Sequence, residues 1–257
     1  MTRPFRFFLG GHDLEMLTIA ALVRAQLGSA AVVDKGLRWG AQADAYAAEI
    51  DAWRAAGGTA VLVELPAPGF VGEDVVEVDH HGARTADPSA LRQVFSLLGL
   101  PAESWTRHFS LVEANDIGHV AAMRAIGATA AEMATIRAAD RAAQGITEAE
   151  EMAGRDALAA ARFALDGRLM VVDLPHGRTA TAMDPLALEQ ERALQDVLIL
   201  TPGGPHFFGS GGAVAALDDA FPGGWRGGQL PRRGFWGVQG AVDEAALLGV
   251  IAQACRD

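Results

Sequence analysis

Residues 5–78 alternate short apolar runs with segments of helical spacing, and this alternation constrains the fold more than any other feature of the chain. Phe5–Leu9 reads as a strand. From Glu15 to Leu27 the apolar residues Met16, Ile19, Ala20, Leu22 and Val23 recur at helical intervals, and Gly28 ends the run. A strand over Ala30–Val33, an alanine-rich helix to about Ala56, the Gly57-Gly58 break and an apolar run over Ala60–Leu65 complete a βαβαβ order. Strands joined through helices run parallel in one sheet. Val75–Val78 is expected as a fourth strand that stops at Asp79, His80 and His81.

Beyond Pro88 the texture changes twice. Up to Leu165 the sequence is dominated by Ala, Leu, Met and scattered charges at helical spacing, broken by Gly99, Pro101, Gly127 and Gly145, which predicts mostly helices. After Gly167, Leu169–Val172 and Val197–Leu200 read as strands, and Pro202–Gly212 and Phe221–Gly240 read as glycine-rich loops. A chain of 257 residues, half of them hydrophobic, can fill two modest cores. The expected organisation is therefore a parallel-sheet α/β domain over 1–140, a helical connector over 141–166 and a smaller α/β domain over 167–257.

The charge balance narrows the partners. A formal net charge of -11 argues against wrapping long nucleic acid, which requires many phosphates to be neutralised by Lys and Arg, but leaves small anions open. Cys255 has no second cysteine to pair with, which suits a reducing compartment. The apolar stretch around Phe7, Phe8 and Leu9 is too short for a signal-peptide core, and no segment is long enough to span a membrane. A cytoplasmic location without membrane partners is the expectation, and homodimerisation is left open.

Residues suited to metal chemistry cluster just past the expected strand ends, where open α/β sheets place their active sites. Asp79-His80-His81 follows the fourth strand, and neutral imidazoles and carboxylates can share divalent cations. Alone, such a tripeptide is better read as a polar turn. The first strand ends in Gly10-Gly11-His12-Asp13-Leu14-Glu15, two carboxylates beside a histidine. Asp116 and His119, three residues apart in an apolar helical stretch, are expected on one helix face, with a helix-capping role for Asp116 as the competing reading.

With these residues in this order, the sequence resembles the DHH phosphoesterase superfamily over most of its length. That family has a carboxylate pair after the first strand, another carboxylate ending a later strand, the Asp-His-His motif, and a further Asp downstream in a helical region. Asp13, Glu15, Asp79, His80, His81 and Asp116 occupy those places. For the second carboxylate, Asp34 fits locally but comes one βα unit early, whereas Glu64 has the better topological position. The chain has Glu at 15 and 64 where family members usually have Asp, and His12 directly precedes Asp13.

The resemblance implies metal ligation by Asp13, Glu15, Glu64, His80 and Asp116, with Asp79 orienting His80 and His81 donating to the leaving oxygen. His12, Asp34 and Asp79 are further candidate ligands, and manganese is the implied ion, with Mg2+ or another divalent cation as the alternative. It also implies a C-terminal DHH-associated domain with a glycine-rich substrate loop, whose counterpart is Gly223-Gly224-Trp225-Arg226-Gly227-Gly228. Glycines admit phosphate to backbone amides, so Gly227 and Gly228 with Arg226 and Arg232 are the expected substrate contacts, joined by Arg178 on a separate loop. Trp225, Phe235 and Trp236 are candidates for stacking on a base, although aromatics beside glycine turns more often fill the core. The implied activity is hydrolysis of small nucleotides or short oligonucleotides by a metal-activated water. Two alternatives stand beside it: a nucleotide-binding regulator that has lost catalysis, and a pyrophosphatase or polyphosphatase of the same superfamily.

Overall fold

The computed structural model describes residues 3–38, 40–189 and 195–254, and Cys255 lies outside them. The chain forms two compact units, Met1–Gly145 and Ile146–Asp257. In the first, β1 (Phe5–Leu9), α1 (Leu14–Leu27), β2 (Val32–Val33), α2 (Ala47–Ala55), β3 (Thr59–Val63) and β4 (Val75–Val78) are followed by α3 (Ala90–Leu97), α4 (Arg107–Ala125) and α5 (Ala130–Ala143). The strands lie in the order β2-β1-β3-β4, and every pairing is parallel, as the alternating pattern predicts. β2 is shorter than expected, because Ser29–Ala31 forms a 3-10 turn ahead of it.

Helices on both faces explain the near-continuous apolar runs. Phe8, Ala60 and Leu62 pack with Tyr46 and Ile50 on one side. Phe7, Leu9, Val61 and Val63 alternate to the other side and are fully buried too. Helix starts follow their capping residues: Asp13 accepts from Met16 N at 2.9 Å, Ser89 caps α3, Thr106 caps α4, and Thr129 with Glu132 forms a capping box on α5.

α4 is broken where it was expected to be regular. Gly118 (φ -162°, ψ 27°) and His119 (φ 50°, ψ -141°) leave the helical region, so Asp116 and His119 do not share a helix face. Asp116 lies well inside α4 and does not cap it.

The second unit contains α6 (Glu148–Ala159), β5 (Arg162–Ala164), β6 (Leu169–Asp173), α7 (Ala180–Leu188), β7 (Asp196–Thr201), β8 (Gly204–Ser210), α8 (Gly211–Ala220), β9 (Trp225–Gln229), β10 (Arg233–Gly237) and α9 (Glu244–Ala254). Its sheet order is β5-β6-β7-β8-β10-β9, with β6 and β7 parallel and the other pairs antiparallel. One face buries Met170, Val172, Val197 and Ile199 under α6 and α7, and the other buries Leu198, Phe207 and Trp236 under α8 and α9. α6 and β5, from the segment read as a connector, are part of this unit.

The stretches read as glycine-rich loops are largely strands: β8 occupies Gly204–Ser210, and β9 and β10 form a hairpin. The glycines are there for the rings opposite them. A Cβ on Gly227 would lie 2.6 Å from the Phe235 ring, and one on Gly237 would lie 2.6 Å from the Trp225 ring.

Candidate metal centre

The C-terminal ends of β1, β3 and β4 converge on one edge of the first unit's sheet, and the backbone there is tightly fitted. Gly10 N donates to Val63 O at 2.8 Å, and a Cβ on Gly10 would stand 2.3 Å from the Glu64 carbonyl oxygen. No other residue fits that approach. Glu64 N donates to Val78 O at 2.7 Å, and Glu64 then turns out of the strand with φ 51°. A non-glycine residue in this region carries local strain that the surrounding pairing must hold.

Four side chains from four elements meet at this edge. Ligand atoms of Glu15, Glu64, His80 and Asp116 lie within 4.8 Å of one another, and Glu64, His80 and His81 form an overlapping group of the same tightness. His80 Nε2 is 2.8 Å from Asp116 Oδ2 and 3.4 Å from Glu64 Oε1. These contacts are close without being aligned as hydrogen bonds. Glu15 Oε2, Glu64 Oε1, His80 Nε2 and Asp116 Oδ2 are all buried with no hydrogen-bond partner among the described residues. Buried polar atoms ordinarily find partners, and three carboxylates gathered around one point are costly unless a cation stands among them. Carboxylate oxygens with imidazole nitrogen form a donor set for Mn2+, Mg2+ or Zn2+, so the residues present fit a divalent ion.

The electrostatics record the same crowding. Burial, reinforced by the Asp116 and Glu64 carboxylates, raises Glu15 well above the usual range for a glutamate. Asp13 is raised to about 6, chiefly by burial, with Glu64, Asp116 and Asp140 adding to the shift and its bond from Met16 N opposing it. Contact with Asp116, then with Glu64, pushes His80 up to about 10 against the effect of burial. Without a metal, protons compensate the carboxylates, and a metal must displace them.

The Asp79-His80-His81 run divides its work differently from the expectation. Asp79 Oδ1 accepts from His81 N at 2.9 Å and lies 3.0 Å from His81 Nδ1, so the side chain it orients is His81. His81 is 41% exposed against 10% for His80, and its Nδ1 is 3.8 Å from Glu64 Oε1. Asp34 is exposed, accepts from Gly36 N at 2.8 Å, and belongs to neither group. His12 is exposed and also outside both groups, and Asp13 caps α1 beside them.

The expected substrate contacts all lie in the second unit. Arg226, Gly227 and Gly228 are in strand β9 where a loop was expected, and Arg226 Nε is 3.2 Å from Asp218 Oδ2. Arg178 Nε is 3.7 Å from Glu150 Oε1. Arg232 lies in the β9–β10 turn, where its carbonyl accepts from Gly211 N. Trp236 is buried in the core and cannot stack on a ligand, whereas Trp225 and Phe235 are partly exposed.

Several supports of the centre escaped the sequence reading. Leu91 N, at the start of α3, donates to Glu15 Oε1 at 2.8 Å, and Gln93 Nε2 donates to the Asp79 carbonyl at 2.9 Å. Ser89, capping α3, was the available signal. Asn115, Arg137 and Asp140 form a buried polar group between α4 and α5. Nothing in their helical spacing set them apart from solvated charges.

No protein family and no curated protein matches the sequence. Among solved structures, RecJ from Thermus thermophilus in complex with Mn2+ is similar over 99% of this chain at 16% identity and a TM-score of 0.49. This chain spans 52% of that protein, about half its length. A second structure, exonuclease RecJ bound to manganese, matches at 17% identity and a TM-score of 0.47 over 99% of this chain and 91% of its own. An exopolyphosphatase-related protein from Bacteroides fragilis matches at 11% identity and a TM-score of 0.48 over 99% and 92% of the two chains.

Proposed function

We propose that this chain is a divalent-metal-dependent phosphoesterase of the DHH type that hydrolyses small nucleotides or short oligonucleotides. The observation that carries the reading is the convergence of Glu15, Glu64, His80 and Asp116 through buried atoms that lack hydrogen-bond partners among the described residues. Their order along the chain is that of the family the sequence resembles. These four residues would hold a divalent cation, which would supply charge neutralisation at the phosphoryl oxygens and an acidified water.

The chain's own residues supply the rest. Glu64 belongs to both groups of potential ligands and would help to hold a cation in either. Asp79 orients the His81 ring through Nδ1, and His81 is the donor to the leaving oxygen as the phosphorus–oxygen bond breaks and water oxygen bonds to phosphorus. Asp13, raised to about 6, stands beside the centre as a further acceptor. Arg178 and Arg226 are candidate phosphate contacts of the second unit.

The test is Mn2+ binding to the metal-stripped chain, followed by turnover on a generic aryl phosphodiester, an adenosine bisphosphate, short oligonucleotides and pyrophosphate. Mn2+ binding with turnover on the nucleotides is expected. Mn2+ binding without turnover would favour a regulator, and failure to bind Mn2+ would overturn the reading.

A further inference from the structure

We propose that Asp140, acting through Arg137, is a positioning residue that fixes the separation of Glu15 and Asp116. The inference rests on the reading of the centre as a metal site. Asp140 is buried on α5 and faces three donors: Leu14 N at 3.1 Å, Arg137 Nη1 at 2.8 Å and Gln144 Nε2 at 3.0 Å. The same Arg137 nitrogen donates to Asn115 Oδ1 at 2.8 Å. Leu14 stands between Asp13 and Glu15 on the first turn of α1, and Asn115 immediately precedes Asp116 on α4.

One buried ion pair thus grips the backbone or side-chain neighbour of two members of the metal group. α1 and α4 are separate elements, and the two ligands they carry are far apart in sequence. A distance between such ligands is held only by what joins their elements, and ion affinity depends on that distance to a fraction of an ångström. Arg137 and Asp140 are respectively 3% and 4% exposed, so water cannot substitute for either partner. A charged pair this deep is poor evidence of a stability role, since apolar residues of similar volume would serve as well, and this favours a positioning role.

The test compares the full-length chain with Asp140→Asn, Arg137→Lys, Asn115→Leu and, as a control, Asp74→Asn, which breaks the Arg54–Asp74 pair elsewhere in the same unit. Mn2+ affinity is measured by calorimetry, and the melting temperature of the metal-free protein by circular dichroism. Asp140→Asn and Asn115→Leu are expected to weaken Mn2+ binding by about 10- to 100-fold, the range for residues that orient metal ligands. Arg137→Lys, which keeps the charge but loses the fork, should fall between these and wild type. Asp74→Asn should lower the melting temperature and leave Mn2+ affinity unchanged. A folded Asp140→Asn protein that binds Mn2+ like wild type overturns the inference. If that variant does not fold, wild-type affinity in Asn115→Leu overturns it equally. Absence of Mn2+ binding by the wild-type chain sinks the metal reading itself, whereas retained binding in the variants sinks only the positioning role.

Discussion

At the scale of single residues, the centre separates two carboxylates that the sequence left in competition. Glu64 lies in both groups of potential ligands, and Asp34 is a solvent-exposed turn residue. Glu64→Gln should therefore weaken Mn2+ binding by more than about tenfold, and Asp34→Asn should leave it within about twofold of wild type. Calorimetric titration of the two variants checks this, and the reverse result would move the ligand role to Asp34. A pH prediction follows from the protons that the centre holds. Asp13 is raised from 3.8 to about 6, so its contribution to metal-free stability is fully present below pH 3.8 and is lost as pH rises through about 6. His80 is raised from 6.5 to about 10, so its contribution is complete below pH 6.5 and declines as pH rises toward 10. Both effects have the same sign. Metal binding runs the other way, because deprotonated ligands bind the ion. The gain in melting temperature from saturating Mn2+ should thus grow between pH 6 and pH 8, with proton release seen as buffer-dependent binding heats. A gain that does not change with pH would contradict this account.

At the scale of elements, legibility followed how each element is stabilised. β3 is buried along its whole length, and β1 and β4 each carry a single charged residue, Arg6 and Glu77, so all three stand out as runs and the motifs that follow them are readable from the same pattern. β9 has the sequence Trp-Arg-Gly-Gly-Gln, with no alternation to mark it, because neighbouring rings supply the packing that its own side chains do not. The break in α4 had one trace, Gly118, inside a stretch otherwise suited to a helix. Arg137 and Asp140 were invisible because a buried ion pair and a solvated one share the same helical spacing. Gly10 shows the coupling between element and site: its Cβ would meet the Glu64 backbone, so Gly10→Ala must push apart the ends of β1 and β3, which lead into the candidate ligands Glu15 and Glu64. This variant should lose about 1–3 kcal/mol of stability, the usual cost of overpacking, and bind Mn2+ more weakly. Denaturant unfolding and metal titration of the variant test it, and unchanged values in both would mean that the strand ends yield freely.

At the scale of the whole molecule, charge would select among the substrates proposed for the metal centre. The chain carries 32 Asp and Glu against 21 Lys and Arg, a net charge of -11. Such a field repels polyanions, and the repulsion grows with every phosphate within about 10 Å of the surface at moderate salt. Within the second unit, Arg162 and Arg233 stand beside carboxylates and offer little relief. A protein adapted to long strands would release counterions on binding and lose affinity as salt rises. Here the opposite trend is expected. At low salt, kcat/KM should fall steadily from dinucleotides to strands of about 20 nucleotides, because each added phosphate meets an unfavourable potential. Raising the salt should narrow that gap by screening the repulsion. Kinetics on a graded series of oligonucleotides at two ionic strengths decide the matter. Faster turnover on the long strands, or a salt dependence that weakens them selectively, would show that a cationic track outweighs the net charge.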